Sequence, residues 1–527
     1  MIRLIGNQKV YLFLLVACLL YLGLGGVPVT SAQGRGTGVQ WDAPMHIPSP
    51  EETWSWFPDL TVDSQGRVHV IWSETNPEVM GTKDSYLAER VFYSMWDGNQ
   101  WSAYNDIVPP QADIIRNAIA IDNSDTLHML FDYRSRSGGF GLFYQKAPVD
   151  DAWSAASWSS PWLVNSRGFT YMSDIAVFED EIHIVYDDAH VASGDTPETV
   201  QDECPVCADV FYRYSADQGQ TWSTPIDLFP TTTGSSRAQM EVDSRGTIHI
   251  AWDEGWDRLT GQGEPLYGVY VHSADGGITW SPPFTVTYPV TTNAQMTVGS
   301  DGQGGVMLMW RTTSQEYPGI YYLWSADQGQ TWSAPQTLPR ITAQSWTNQF
   351  DVYDMATDSA GHIHALVTGF VAGRERAVPG LYHYEWDGER WSSPTPVYED
   401  GAGVWYPHYP HLVIAQGNQL HATWFTRKGI WKAEVEAPHR IWYAHGQSQA
   451  PTIITTPRPK PTIPAPTPTP VTAIQATLAP TLSPEQVAAA PMSQPNLDED
   501  MLLLLLLSSG PVLAVLLIIL ITRRIRT

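Results

Sequence analysis

SADQGQTW stands at residues 325–332, recurs letter for letter at 215–222, and returns as SADGGITW at 273–280. All three fit S-x-D-x-G-x-T-W, and each is followed by Ser and a nearby Pro. Looser versions, WDGNQW and WDGERW, occupy residues 96–101 and 386–391. The Asp can accept backbone N–H groups across a turn, the Gly can take positive φ, and the Trp can cover the base. Each stretch therefore predicts a tight β-hairpin.

A second phrase alternates with these hairpins. It reads VDSQGRVHVIW (62–72), IDNSDTLHMLF (121–131), VFEDEIHIVY (177–186), VDSRGTIHIAW (242–252), GSDGQGGVMLMW (299–310), TDSAGHIHALV (357–367) and IAQGNQLHATW (414–424). Each is a short apolar strand, a polar turn and an alternating second strand. One slot holds His69, His128, His183, His249, Met307, His364 and His421, recurring every 55 to 66 residues. A long, near-constant period of turn-rich β units is the signature of propeller blades. The predicted fold is all-β, a single β-propeller of seven four-stranded blades over residues 39–447. The seventh unit lacks its last strand, and VQWDAPMHIP (39–48) matches that missing strand in type. The N-terminus is therefore expected to close the ring.

At 527 residues, 12% aromatic and only 16% charged, the chain suits a Trp-punctuated extracellular β module. A formal net charge of −26 argues against nucleic acid or an anionic lipid surface as partner. Residues 1–32 read as an export signal, with Arg3 and Lys9 before an apolar run. Leu15-Val16-Ala17-Cys18 also admits a lipoprotein cleavage box. Residues 449–497, rich in Pro and Thr, read as an extended stalk. Residues 501–522 form an apolar run long enough to span a bilayer as a helix, and Arg523, Arg524 and Arg526 follow it in a tail of residues 523–527. Those arginines put the tail in the cytoplasm and the propeller outside, on a single-pass cell-membrane protein. Cys204 and Cys207, in CPVC, are expected to bridge locally, because an exported chain meets an oxidising compartment.

The six histidines sit one per repeat, too far apart to converge on one ion, so they read as a packing signature and no metal is expected. If the first strand of every blade lines the central channel, the polar residues near their starts converge on one face. Those are Asp59, Arg116, Asp174, Arg237, Gln239, Asp354 and His411. Mixed charges among Trp and Tyr would suit a sugar ligand, by stacking and hydrogen bonding.

The S-x-D-x-G-x-T-W hairpins in propeller-period repeats resemble the Asp boxes of the sialidase superfamily, over roughly residues 41–446. The resemblance implies a glycan or glycoprotein ligand, no cofactor, and a mouth where three arginines grip a carboxylate, a Tyr is the nucleophile and an Asp the acid/base. On that pattern Tyr409 matches the nucleophile, Asp84 the acid/base and Arg311 one arginine. Where the family's F-R-I-P-x-L phrase places its first arginine, this chain has SWFPDL (55–60), with Trp56 at the arginine position. No partner Glu is assignable. The expectation is a membrane-anchored, sialidase-like propeller that binds glycans or a surface partner without catalysis. The alternative is an active exo-α-sialidase-like hydrolase with a modified carboxylate grip.

Overall fold

The structure is a computed structural model and describes residues 38–454, apart from short internal stretches at 80–81, 83–86, 112–115, 135–139, 166–169, 171, 190–207, 258–261, 345–352, 375 and 429–437. Asp84, Cys204, Cys207, the export signal, the stalk beyond Ile454 and the apolar C-terminal run lie outside the described residues. Among those residues no helix is long and apolar enough to cross a membrane.

The chain is a β-propeller built of antiparallel sheets, with one short 3-10 turn at Ala155–Ser157. The first sheet shows the plan, running Trp54–Val62, Val68–Thr75, Glu89–Trp96 and Asn105–Gln111 in order from the channel outward. Three further four-stranded sheets start at Asn117–Ile121, Ser173–Phe178 and Ser235–Val242. The last sheet starts at Trp405–Ala415, and its strand Arg440–Gln447 takes on its far side Gln40–Trp41 and Met45–His46 from the N-terminus. The two ends of the chain thus close one sheet, as the missing strand predicts.

The expectation of seven separate four-stranded blades is corrected. Five sheets of four or five strands stand alone, while the fifth and sixth repeats share one eight-stranded sheet. The joint is the strand Gln336–Thr342, longer than its counterparts Ile226–Asp227 and Phe284–Val286. Pro339 removes a donor and Arg340 takes φ of 63°, which turns the strand. Ile341 and Thr342 then pair with Val371 and Phe370 of the next repeat.

The repeated phrase explains itself in the turns. Asp63 Oδ1 accepts the N–H groups of Gln65 and Arg67 at 2.9 and 2.8 Å, closing the first turn. Its Oδ2 faces His69 Nε2 at 3.3 Å, and His69 Nδ1 meets the Tyr93 hydroxyl at 2.7 Å. Against burial that pushes it up, the bonds from His69 and Arg67 hold the Asp63 carboxyl down at about 2. Asp122–His128–Tyr144 and Asp243–His249–Tyr270 repeat the arrangement, and Asp358–His364–His383 substitutes an imidazole for the phenol. In the fifth repeat Met307 replaces the histidine, and the Tyr322 hydroxyl turns to Gln336 Oε1 at 2.9 Å. The histidines are therefore spent inside their own sheets.

The Asp-box hairpins work on the outside. In the box at 215–222, Ser215 Oγ donates to Asp217 Oδ1, and Asp217 accepts from the Thr221 N–H and hydroxyl at 2.8 and 2.6 Å. Residues 273–280 and 325–332 repeat these bonds. Gly219, Gly277 and Gly329 take φ of 80°, 85° and 80°, and a Cβ there would strike Tyr144, Tyr212 and Tyr270 of the preceding sheet. The box tryptophans lie on the same neighbours: Trp222 stacks on Trp162 at 4.9 Å, and Trp280 meets the Tyr212 ring edge-on at 4.8 Å. Each hairpin is thus a clasp between successive sheets.

At the channel, aspartates strap one innermost strand to the next. Asp59 accepts from the N–H of Leu60 at 2.7 Å and of Ile119, in the next sheet, at 2.8 Å. Asp174 does the same with Ile175 and Met240, and Asp354 with Met355 and Leu412.

Three substitutions test this construction. Tyr144→Phe leaves buried His128 without its phenol and is expected to cost about 1–3 kcal/mol in urea unfolding. Tyr322→Phe, where no histidine depends on the hydroxyl, should cost less, and equal losses would contradict the relay. Asp174→Ala strips two N–H groups of their acceptor, and about 2–4 kcal/mol of destabilisation is expected in the same assay. A loss below about 0.5 kcal/mol would show that the strap is ornamental.

Candidate functional site

Seven innermost strands place one residue each at equivalent height in the channel: Asp59, Ala118, Asp174, Gln239, Thr297, Asp354 and His411. All seven line one cavity of about 440 Å³ on the axis. This position follows a β-bulge in four of the strands, where Phe57, Arg237, Gln295 and Tyr409 take φ between 51° and 61°. The bulge re-aims the strand so that the next residues point into the bore.

The electrostatics of the bore are those of crowded carboxyls in a desolvated space. Burial raises Asp59, Asp174 and Asp354 to about 7, although the N–H groups each accepts pull the other way. Glu241 is raised to about 8, by burial first and then by Asp354, Asp243 and Asp174. His411 lies between two of the carboxylates, its Nδ1 at 3.5 Å from Asp59 Oδ1 and 3.7 Å from Asp354 Oδ2. Burial lowers the His411 pKa, with Asp354 opposing. Gln239 reaches over and donates from Nε2 to the Tyr353 carbonyl at 3.0 Å.

Of the residues singled out from sequence, Asp59, Asp174, Gln239, Asp354, His411 and Tyr409 come together on this cavity. The three arginines do not line it. Arg116 lays its guanidinium over the Phe57 ring at 4.6 Å, and Arg237 faces Asp253 at 3.6 Å. Arg311 donates from Nε to the Thr312 carbonyl at 3.1 Å and from a terminal nitrogen to the Gln344 carbonyl. Tyr409 is only 3% exposed and meets Phe57 edge-on at 5.2 Å and His411 at 4.8 Å. Trp56, at the arginine position, stacks on His439 at 5.4 Å and donates from Nε1 to Thr75 Oγ1.

Glu241 and Thr297 also line the cavity and were not anticipated. A signal for Glu241 was present. It lies two residues beyond Gln239, hence on the same strand face, where three other repeats have Ala120, Ala176 and Ala356. A carboxylate in a slot that elsewhere holds only small or uncharged residues (Thr61, Ala120, Ala176, Gly299, Ala356 and Val413) marks an inward-facing charge.

Residues 178–422 match the family described as a BNR repeat-like domain. No curated protein matches the chain. Among solved structures, a protein of unknown function from Dyadobacter fermentans is 14% identical, with a TM-score of 0.47 over 78% of this chain and all of that one. The NanB sialidase of Streptococcus pneumoniae is 14% identical, with a TM-score of 0.40 over 77% of this chain and 70% of the other. A leech intramolecular trans-sialidase is also 14% identical, with a TM-score of 0.42 over 78% of this chain and 70% of the other. With its three Asp-box clasps, the chain is a β-propeller that carries a BNR repeat-like domain over residues 178–422.

Proposed function

We propose that the channel mouth is a recognition site, binding a glycan or a glycan-bearing surface partner without hydrolysing it. The observation that carries this reading is the employment of the groups a sialidase would need. The Trp56 indole is packed on His439, the Arg311 guanidinium serves main-chain carbonyls, and Tyr409 is buried against Phe57. A guanidinium already committed to the fold must break those bonds before it can grip a substrate carboxylate. The bore itself, polar and within the usual range for small-ligand pockets of roughly 300–1,000 Å³, suits a hydroxyl-rich molecule.

A second reading, an active exo-α-sialidase-like hydrolase, draws support from Tyr409. Its ring borders the cavity and lies beside His411, a group that could take a proton. In both readings the propeller is displayed outside the cell on a Pro/Thr stalk, held by the C-terminal apolar segment.

Full-length protein in detergent is expected to bind members of a glycan array and to give no turnover of a fluorogenic sialoside. His411→Ala should weaken the strongest array signals about tenfold, roughly 1.4 kcal/mol. Turnover that disappears in Tyr409→Phe would replace the binding reading with the hydrolase. For the anchor, truncation after Gln449 is expected to move the protein from the membrane fraction into the medium. Retention of the truncated chain on membranes would refute the C-terminal anchor.

A further inference from the structure

The cavity described above is deficient in hydrogen-bond donors. Four carboxyls line it, Asp59, Asp174, Glu241 and Asp354, and among the described residues no Lys or Arg does. Three of the four are held by two backbone N–H groups each, so they cannot swing away from the bore. Two amide oxygens add to the acceptors. Gln239 is oriented by its bond to the Tyr353 carbonyl and Asn117 by its bond to Ser73 Oγ. Their oxygens have no hydrogen-bond partner among the described residues, and neither does the Thr297 hydroxyl, on a side chain only 1% exposed. Buried acceptors without donors are costly, and a ligand that brings donors relieves them.

We infer that the channel recognises an ammonium group, so that the glycan it takes is an amino sugar with a free amine and sialosides are turned away. This rests on the glycan reading of the mouth and names the ligand class for it. An ammonium carries three donors and no acceptor, matching a wall of carboxylate and amide oxygens. The sugar hydroxyls supply the further donors that Asn117, Gln239 and Thr297 need. A carboxylate-bearing sugar would meet four carboxyls, of its own sign as they ionise, and no lining cation among the described residues, while Arg237 and Arg311 stay engaged with Asp253 and with main-chain carbonyls. A bare metal ion fits less well, because no group of three His, Cys, Asp or Glu among the described residues could hold one.

Proton linkage gives a second readout. Asp59, Asp174 and Asp354, raised to about 7, and Glu241, raised to about 8, must ionise to hold a cation. Burial pushes the Asp243 carboxyl behind Glu241 up, but His249 and two backbone N–H groups hold it at about 2, and burial lowers the His411 pKa against the pull of Asp354. Asp243 thus keeps its charge between pH 6 and 8. Affinity for a permanently protonated amine should therefore rise with pH across that interval, with protons released on binding.

The test is calorimetric titration of the full-length protein in detergent with glucosamine, N-acetylglucosamine, 3′-sialyllactose and methylammonium. At pH 7, glucosamine is expected to bind at least tenfold tighter than N-acetylglucosamine, and sialyllactose weakest. Methylammonium should bind several-fold tighter at pH 8 than at pH 6. Glu241 makes none of the inter-strand straps, so Glu241→Gln should leave the thermal unfolding midpoint nearly unchanged. The same variant should weaken glucosamine tenfold and bring it within threefold of N-acetylglucosamine. Sialyllactose binding tightest would overturn the ammonium inference and leave the glycan reading standing. Glu241-dependent binding of methylammonium but of no sugar would support the ammonium site and overturn the glycan reading. Binding of none of the four probes would overturn both.

Discussion

The innermost strand of each sheet has a neighbour on one side only, and its other edge faces the axis. Backbone N–H groups on that edge need acceptors, and in a narrow bore water alone supplies them poorly. Asp59, Asp174 and Asp354 answer this need by accepting one N–H from their own strand and one from the next. The first, third and sixth innermost strands carry the aspartate, and the second, fourth and seventh donate. The price is a set of desolvated carboxyls raised to about 7. The chemistry of the channel is therefore a by-product of closing the ring, and any ligand there has to live with it.

The periphery is held on different terms. Turn aspartates, histidines and tyrosines form relays in the first, second and fourth repeats, and box glycines and tryptophans press their hairpins on the preceding sheet. Three aromatic clasps and several relays make these contacts redundant, since the loss of one leaves the others in place. The axis has no such redundancy, because every strap lies between a unique pair of strands. Rigidity at the centre and tolerance at the rim follow from that difference.

Much of this was legible in the sequence. The box residues and the histidine slot gave the repeat, and the unpaired last unit told that Gln40–Trp41 and Met45–His46 would complete it. Strand starts named five of the seven ring positions on the axis. The joined fifth and sixth repeats were not legible, because pairing of Ile341 with Val371 depends on a local bend at Pro339 and Arg340, not on periodicity. The arginines were misplaced for a related reason. A strand-start residue points into the bore or back into the packing according to which side of the bulge it occupies, so Arg237 goes to Asp253 while Gln239 faces the axis. Glu241 was visible in principle, as the lone charged residue in a slot that the other six repeats fill with Thr, Ala, Gly or Val.

The closing sheet also fixes how the molecule bears tension. The strand Arg440–Gln447 is flanked on both sides, by Gln419–Lys428 and by the N-terminal segment. Just past it, Asn418 donates to the Ala450 carbonyl at 3.0 Å and Ile453 to that of Gln416 at 2.7 Å. A pull on the chain where it leaves the propeller meets those pins first. Load that passes them shears two ladders at once along their length, instead of unzipping an outer strand bond by bond. The same seam that joins the two ends of the propeller thus braces the point where the chain leaves it.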